Sequence, residues 1–591
     1  MQKQAVQLGQ RGSGICWSDP SAWVAPLVLG LLMALLVRMC GVNIPINDDF
    51  DSPGAMLFDW LHGNLGWHSF WQQHNESRLV VPRLLWLIEA FTVGWSTKHW
   101  MYASVMMASL QTYLLVLLLG KSIRNAFIKW STAVCISLFL LHPRLAPGTF
   151  LRGSQGIILI PSLFIVVGLF LYTYRISFRL KLLVYVILAE ISTLTFANGM
   201  IVWVLAFPIF PLLHELRDPS KDRRSIFVPT LLACLCGIFS IGSYFVDFSG
   251  TPISWPADGL AGFLRYLFSW IGAGLASIGD SHAALAFGIG LFVASAACVT
   301  VTIAGAMRER NLAPLERAWP GIALLVYVAV SGLVNALTRT PLGINNALSP
   351  RYYLFTMQMT IALAWLLPMV IFHRGDGTRR GYQKTQLALV SLLLLSGIFY
   401  ALAGWQDGIK ASQKHYSSLV RYTIALSLWR EAPDISPLPI SKTAPPARRR
   451  VHYLALVQAG LCPDYSGGAW LMKALKDARS RTPVGEVHVK GAGRKLKASG
   501  WAMDPVARTP FPAVLTVIEE KDSQLTPISV DLMSQQGPPV PGRLDTEGSF
   551  FFMGFSTYPL QGRHASAPPE RLRFFAIDPG THEAFPLRRT R

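Results

Sequence analysis

Long runs of apolar residues dominate the first two thirds of the chain. The clearest of them carry almost no charge over roughly the 20 residues that a helix needs to cross a bilayer, and they lie at 22–37, 157–174, 283–305 and 385–403. The composition agrees with this pattern, because 52% of the 591 residues are hydrophobic and only 15% are charged, against about 25% in soluble domains. The sequence therefore predicts a polytopic α-helical membrane protein.

The basic residues predict the orientation of the spans. The net charge is +20, but Lys and Arg fall mainly in short loops between apolar runs. This is the positive-inside pattern rather than the footprint of a nucleic-acid-binding surface. The alternation of loop charge gives about eleven spans over 22–405, with 1–21 as a cytoplasmic N-terminal segment and the C-terminus outside.

The first outer loop is predicted at 42–99. The next strongly basic loop, at 121–129, is predicted inside, so only one full span fits between them, at about 100–120. The apolar stretch 79–97 is then predicted to be an interfacial helix that lies on the membrane, which its charged residues Arg83 and Glu89 favour.

The composition changes after residue 405. A linker is predicted at 406–450, because 432–449 is rich in proline and ends in a basic run. From 451 to 591 short β-type runs alternate with Gly and Pro turns, which predicts an extracytoplasmic all-β sandwich domain. Its Trp501 either offers an aromatic face to a sugar or belongs to the core of the domain.

Several classes of site are excluded by their missing motifs. The seven cysteines form no CxxC pair and no Cys/His cluster, so neither a zinc site nor a disulfide framework is predicted. No Walker A, GxSxG or HExxH motif occurs either. Chemistry in this protein therefore needs a substrate that reaches the outer face without a soluble nucleotide.

The first candidate site is a group of carboxylates just beyond the first span. Asp48, Asp49 and Asp51 fall within four positions in the segment PINDDFDSP. Neighbouring carboxylates repel one another, so one of them is readily tuned into a base, and together they offer oxygen ligands to a divalent cation such as Mg or Mn. The alternative is a hydrated acidic loop without a further role.

The second candidate group follows in the same loop, in QQHNESRLVVPR. It consists of His74, Asn75, Glu76, Arg78 and Arg83. An Arg can grip a phosphate with two hydrogen bonds, and a nearby His or Glu can move a proton. The alternative is the beginning of a helix whose charges pair locally.

Cations also occur in the later outer loops. Arg152 lies in the loop at 142–156, and Arg351 precedes Tyr352 at the start of another span. An Arg at the membrane boundary is costly and indicates a functional partner by default. For Arg351 and Tyr352 the alternative is an aromatic belt with a snorkelling cation.

With these residues in view, the chain resembles the GT-C superfamily of integral-membrane glycosyltransferases. That class has about eleven to thirteen spans, a large first outer loop with interfacial helices, and an acidic residue shortly after the first helix. The segments that resemble a little-studied bacterial group with a C-terminal β-sandwich are DDF (48–50), QHNESR (73–78), FANGMIVW (196–203) and SPRYY (349–353).

The resemblance implies a function and roles for the candidate residues. It implies inverting transfer of a sugar from a polyprenyl-phosphate donor to a glycan, lipid or protein acceptor, in the bacterial inner membrane with the C-terminal domain periplasmic. Asp48 or Asp49 then matches the first-loop base. Arg78, Arg83, Arg152 and Arg351 would bind the lipid-linked phosphate, while His74 and Glu76 would complete the acceptor or metal site.

Other functions remain open from the sequence. The leading alternative is a transporter or flippase of a lipid-linked or anionic substrate. Transporters usually place charges near the membrane midplane and show internal repeats, whereas the charges here concentrate at the outer boundary. A membrane-bound acyltransferase or phosphotransferase and a non-catalytic assembly factor for envelope polysaccharide are further alternatives.

Overall fold

The computed structural model divides the chain into two compact units. One comprises Met1–Gly41 and His62–Gln413, and the other Val42–Leu61 and Lys414–Arg591. The structure describes residues 20–46, 48–123, 125–250, 258–277, 279–372, 380–428, 446–461, 471–490, 497–502, 513–519, 525–532, 555–556, 571–578 and 583–590. The predicted N-terminal segment before residue 20 and the stretch at 429–445 of the predicted linker lie outside these ranges.

The described chain is mostly helical. Its α-helices are α1 (Pro20–Cys40), α2 (Ala55–Leu61), α3 (Trp67–Trp71), α4 (Val80–Thr92), α5 (Thr97–Ser122), α6 (Ala126–Leu140), α7 (Ile160–Leu171), α8 (Phe178–Thr193), α9 (Val202–Leu205), α10 (Ile209–Arg217), α11 (Arg223–Tyr244), α12 (Gly259–Gly272), α13 (Ser281–Arg308), α14 (Ala313–Arg339), α15 (Ile344–Ala347), α16 (Tyr353–Phe372), α17 (Arg380–Ala403), α18 (Trp405–Leu428), α19 (Pro446–Gln458) and α20 (Leu471–Ala478). Short 3-10 and π-helical turns extend several of them.

Ten helical segments of the described residues are long and apolar enough to cross a membrane. They are Trp23–Cys40, Thr97–Gly120, Ala126–Phe150, Ser154–Leu171, Ala197–Arg217, Arg223–Tyr244, Ser281–Arg308, Ala313–Leu342, Pro350–Ile371 and Thr385–Tyr416. Large apolar side chains on these segments face outward, such as Phe239 with 77% and Met307 with 73% of their surface exposed. Such surfaces suit contact with lipid rather than water, so the prediction of a polytopic helical membrane protein is confirmed.

Helices α4 and α8 of the membrane unit are shorter than these segments. Helix α8 has only 16 residues and lies where we predict one of the eleven spans. Helix α4 has 13 residues and an amphipathic surface: it buries Trp86 and exposes Leu84, Ile88 and Phe91. That surface suits an interfacial helix, although the position of α4 relative to a membrane stays a prediction.

The last candidate span, Thr385–Tyr416, runs into the stretch predicted as a linker. Helix α18 occupies Trp405–Leu428 and carries an acidic residue, Asp407, in its first turn. Proline is absent from this stretch and begins only at 433, so nothing in the local sequence breaks the helix. Helix α19 then forms over Pro446–Gln458, across the predicted boundary at 450.

Among the described residues, the C-terminal part of the second unit contains eight strands. They are β3 (Gly485–Lys490), β4 (Lys497–Ala502), β5 (Ala513–Glu519), β6 (Leu525–Leu532), β7 (Phe555–Ser556), β8 (Leu572–Asp578), β9 (Glu583–Pro586) and β10 (Arg588–Thr590), after β1 (Gln73–His74) and β2 (Ser77–Arg78) of the first unit. They form two four-stranded sheets with the orders β10-β3-β4-β7 and β6-β5-β8-β9. All pairs are antiparallel except β10 with β3.

Both sheets contribute to one hydrophobic cluster. Val487 and Ala502 from the first sheet are buried together with Val514, Leu572 and Phe574 from the second. The predicted β-structure near the C-terminus is therefore present, and its closure into a sandwich stays a prediction. The second unit also includes 42–61, which we predict from sequence as part of the first outer loop of the membrane domain.

Candidate functional site

A small hairpin begins the candidate site. Strands β1 and β2 pair Gln73 with Arg78 and His74 with Ser77, which leaves Asn75 and Glu76 at the turn. Asn75 adopts a φ of 50°, a left-handed conformation that Asn tolerates better than most residues. The amide group of Gln73 holds the hairpin to Ser249, donating to its carbonyl (2.8 Å) and accepting from its N–H (3.0 Å).

Arg78 of this hairpin is hydrogen-bonded to backbone carbonyls. Its guanidinium donates to the carbonyls of Trp71 (2.7 Å), Tyr244 (3.2 Å) and Val246 (2.5 Å), and the side chain lies over the ring of Trp71. Only 2% of the residue is exposed. Arg78 therefore holds the hairpin against the end of α11, and its guanidinium is not open to a phosphate.

Arg83 has a similar environment in the first turn of α4. It is 1% exposed and donates to the carbonyls of Phe70 (2.7 Å) and Gln72 (2.6 Å). Burial, together with the nearby charge of Arg78, lowers the pKa of Arg83 to about 10. It stays cationic at neutral pH, and its charge is satisfied by carbonyl dipoles of the loop before the helix.

Glu76 joins the hairpin turn to the end of α14. Its carboxylate forms an ion pair with Arg339, and its backbone carbonyl accepts from the hydroxyl of Tyr244 at 2.6 Å. The neighbouring Ser77 accepts from the backbone N–H of Ala197 at 3.2 Å. The amide of Asn198 donates in turn to Ser331 at 3.0 Å. The segments QHNESR and FANGMIVW, far apart in sequence, thus meet at the end of α14.

Tyr266 of α12 lies at the centre of a second set of polar contacts. Its hydroxyl is shared between Oδ1 of Asn335 (3.0 Å) and Oδ1 of Asn346 (2.9 Å). Burial raises the pKa of Tyr266, as does Tyr352, while the cations Arg351 and Arg339 act in the opposite direction. We call Glu76, Tyr266, Asn335, Arg339 and Asn346 the polar cluster.

Arg351 lies beside the polar cluster and has no acidic partner in the described part of the chain. Its guanidinium carbon is 4.8 Å from the centre of the Tyr352 ring, and its buried Nε has no hydrogen-bond partner there. The residue is half-buried, whereas Tyr352 is 7% exposed. The arrangement leaves one cation at the beginning of a candidate span with unused donor capacity.

The second predicted outer loop approaches Arg351 through its backbone. A Cβ on Gly148 would collide with the carbonyl of Pro350 and stand 2.7 Å from the backbone nitrogen of Arg351, so only glycine allows this approach. Arg144 of the same loop is buried and donates to three carbonyls that follow α12, those of Gly274, Leu275 and Ala276. Arg152 is half-buried in this loop.

The predicted acidic site belongs to the second unit. Asp49 is 2% exposed, and its Oδ2 accepts from the backbone N–H of Ile46 at 2.9 Å. Asp48 and Asp51 are half-buried. The carboxylate of Asp49 is therefore used to build the turn that begins this short helical segment, while Asp48 is the more accessible of the two predicted bases.

The predicted metal site at Asp48, Asp49 and Asp51 stays a prediction. In the part of the chain that the structure describes, no three His, Cys, Asp or Glu side chains come together as ligands of a metal ion, and Asp48, Asp49 and Asp51 are all described. The turn already uses an oxygen of Asp49.

Sequence reasoning missed part of the polar cluster. Tyr266, Asn335 and Asn346 are not among the residues that the sequence marks as candidates. A polar amide near the end of an apolar run, such as Asn335, is the signal that points to them. Their pairing partner, Tyr266, lies about 70 residues away in sequence and carries no such signal.

Comparisons with known proteins complete the description of the site. No known family model matches this chain, and no match was found among curated proteins or solved structures.

Proposed function

We propose that the protein is a GT-C-type membrane glycosyltransferase. It would transfer a sugar from a polyprenyl-phosphate donor to a glycan, lipid or protein acceptor on the extracytoplasmic face, with inversion at the anomeric carbon. The observation that carries the proposal is Arg351, a cation without an acidic partner in the described chain beside the hydroxyl and amides of the polar cluster.

The chemistry of this cluster suits a phosphate linked to a sugar. An unpaired guanidinium at a membrane boundary favours an anionic group, and hydrogen bonds between charged partners are about twice as strong as neutral ones. Tyr266, Asn335 and Asn346 offer donors and acceptors of the kind that recognise sugar hydroxyls. Arg339 is already neutralised by Glu76, so we assign the phosphate to Arg351.

The reaction is a single displacement. The acceptor hydroxyl attacks the anomeric carbon, a new carbon–oxygen bond forms, and the bond from that carbon to the phosphate oxygen breaks. The proton of the acceptor passes to a carboxylate, and polyprenyl phosphate leaves with the bonding electron pair. The resemblance to GT-C enzymes implies Asp48 or Asp49 as this base, and Asp48 is the more accessible of the two, because Asp49 is buried and accepts from Ile46.

The finer topology belongs to the same proposal. We infer eleven spans, with α8 as the one shorter than the ten candidates, the N-terminus in the cytoplasm and the second unit outside. The two sheets near the C-terminus would close into a sandwich that positions the acceptor. Trp501 remains a candidate for a sugar contact; its strand pairs with β3, and its side chain lies outside the description.

The test is a donor-binding and turnover assay on the full chain in nanodiscs. A panel of polyprenyl-phosphate sugars is offered to wild type, Asp48→Asn, Asp49→Asn and Arg351→Ala, and the release of polyprenyl phosphate is measured. We expect Asp48→Asn to bind donor and lose turnover. Arg351→Ala should lower donor affinity at least tenfold, because a hydrogen bond to a charged group contributes about 1.5–3 kcal/mol.

The matched control is Arg265→Ala. Arg265 precedes Tyr266 on α12 and is exposed. Its replacement removes one positive charge from the helix that carries Tyr266, but it removes no residue of the polar cluster. Donor binding without turnover in wild type would shift the assignment to a transporter or flippase. Equal behaviour of Arg351→Ala and Arg265→Ala would remove the basis of the proposal.

A further inference from the structure

A cavity lies at the other end of the membrane unit. It has a volume of about 270 Å³, and its lining includes Arg217, Arg310, Asn311, Met307 and Leu315. Pockets for drug-sized ligands measure roughly 300–1,000 Å³, so this one suits a headgroup rather than a larger molecule.

The two arginines of this cavity have no acidic partner in the described chain. Among the acids nearby, Glu215 lies 3.6 Å from Lys221 and Glu316 lies 3.3 Å from His214, while Asp218 accepts from the N–H and the hydroxyl of Ser220. Arg217 and Arg310 are both exposed. The lining thus holds two guanidinium groups and no carboxylate, which favours an anion.

Arg310 is held in a backbone conformation that costs energy. Its φ is 49°, and its N–H donates to the carbonyl of Met307 at 3.2 Å just after α13 ends. Glycine is the usual residue at this position of a helix C-terminus, because a side chain there is strained. An arginine at this place keeps a cation at the cavity despite the strain.

The cavity wall continues into the apolar surface of α13. Ile303 and Met307 line the cavity and are 42% and 73% exposed. A ligand with an anionic head and hydrocarbon tails matches both parts, since its head would meet the arginines and its tails would cover these side chains. A soluble phosphate would leave the apolar part uncovered.

The cavity and the polar cluster lie at opposite ends of the same helices. Helix α14 begins at the cavity, near Leu315, and ends at Arg339. Its 27 residues span about 40 Å at 1.5 Å per residue. The segment Ala197–Arg217 likewise begins with the contacts of Asn198 and ends at the cavity.

From these observations we propose that the cavity between Arg217 and Arg310 binds the headgroup of an anionic phospholipid from the surrounding bilayer. This site is separate from the proposed transferase site and does not depend on it. Basic pockets between the cytoplasmic ends of membrane helices bind such headgroups by the same chemistry.

The test measures lipid affinity of the full chain by native mass spectrometry. Phosphatidylglycerol and phosphatidylcholine with the same acyl chains are titrated, and we expect at least tenfold tighter binding of phosphatidylglycerol. Removing each arginine should weaken that binding about fivefold, the usual contribution of one cation near an anionic lipid. The double variant Arg217→Gln/Arg310→Gly should therefore lose roughly 25-fold.

The variants separate binding from folding. Arg310→Gly removes the charge and also the left-handed strain, so thermal stability should be unchanged or higher while binding falls. Arg179→Gln is the control. Arg179 is exposed at the start of α8 and does not line the cavity. It lies two residues from Lys181, whose positive charge interacts with the negative charges of Glu215 and Glu316. It should bind phosphatidylglycerol like wild type.

Three outcomes would overturn the proposal. Equal affinity for the two lipids would show that the charge has no role. Full binding in the double variant would place the lipid elsewhere. Displacement of phosphatidylglycerol by an equal concentration of glycerol 3-phosphate would identify a site for a soluble anion.

Discussion

Arg78 and Arg351 both lie against an aromatic ring, yet only Arg351 keeps donors for a ligand. The guanidinium carbon of Arg78 is 5.3 Å from the centre of the Trp71 ring, and that of Arg351 is 4.8 Å from the Tyr352 ring. The guanidinium of Arg78 donates hydrogen bonds to three carbonyls, whereas Nε of Arg351 has no hydrogen-bond acceptor in the described chain. A guanidinium with five N–H donors can serve as a structural clamp or as an anion site, and the number of donors already used decides which.

Glu89 provides a pH-dependent contact at the end of α4. Its carboxylate accepts from Trp100 Nε1 (2.5 Å) and from the N–H of Ser96 (3.3 Å), and it lies 2.9 Å from His99 Nδ1. Burial raises the pKa of Glu89 above its ordinary value of 4.5, although these hydrogen bonds oppose the shift. The folded protein therefore holds this proton more tightly than the unfolded chain does.

The sign of the pH dependence follows from that difference. Where the folded state binds more protons, the free energy of unfolding falls as the pH rises. We expect Glu89 to contribute most to stability below pH 4.5 and progressively less as the pH rises through its raised pKa. In Glu89→Gln this component should be absent. Thermal unfolding of both proteins between pH 4 and 7 measures it as a difference.

Asp258→Asn serves as the control for Glu89→Gln. Asp258 is exposed at the start of α12, and its side chain makes no capping hydrogen bond there. Its removal should leave the pH dependence of wild type unchanged. A difference between wild type and Glu89→Gln that stays flat, or that grows in favour of wild type as the pH rises, would contradict the linkage.

From the sequence, only the residue types of the candidate site could be predicted. The sequence marks Glu76, Arg78 and Arg351 as chemically suited to a site, and the structure gathers Glu76 with Arg339 and leaves Arg351 beside them. What separates Arg78 from Arg351 is a set of carbonyls at Tyr244 and Val246, more than 160 residues away in the chain. No local pattern encodes those distances.

Among the elements, α8 tests the span count. It has 16 residues, about 24 Å of helix at 1.5 Å per residue, and the hydrocarbon core is about 30 Å thick. A short span is accommodated by local thinning of the bilayer and by flanking residues. If α8 crosses, residues 175 and 218, on either side of α8 and the following segment, face the same compartment.

Cysteine labelling distinguishes the two topologies. In a variant whose native cysteines are replaced by alanine, single cysteines at Arg175 and at Asp218 are exposed to an impermeant maleimide in intact cells and in inverted vesicles. With α8 as a span, both positions should label only in inverted vesicles. Labelling of the two positions from opposite sides would make α8 a surface helix and reduce the count to ten.

The predicted elements agree with the structure wherever the local sequence is sufficient. Apolar runs of span length appear as helices, and alternating runs such as RLRFFAID appear as strand β8. In the predicted linker, helix α18 forms over a stretch whose apolar residues Trp405, Ile409, Tyr416 and Leu419 recur at helical spacing, a pattern that the composition-based prediction did not use.

For the whole molecule, the division into two units is the least local feature. The segment 42–61 belongs with the C-terminal residues, about 400 positions later in the chain. Phe58 and His452 have ring centres 4.6 Å apart, and Tyr453 and Leu456 on the same helix, α19, are fully buried. The hydrophobic pattern alone does not show which distant segments pack together. From the sequence, 42–61 is therefore placed in the membrane domain, which is its neighbour in the chain.

This pairing predicts that α19 keeps the acidic segment folded. Leu456→Ala removes a buried side chain that lies near Gly54, and such a change costs about 2–5 kcal/mol. We expect proteases to cut within 42–61 faster in Leu456→Ala than in wild type, as measured by limited proteolysis and mass spectrometry of the fragments. Val451→Ala, on the same helix but 54% exposed, should leave the cutting rate unchanged. Equal cutting in the two variants would mean that 42–61 folds without α19. Faster cutting only in Leu456→Ala would make the conformation of Asp48 depend on a helix about 400 residues away.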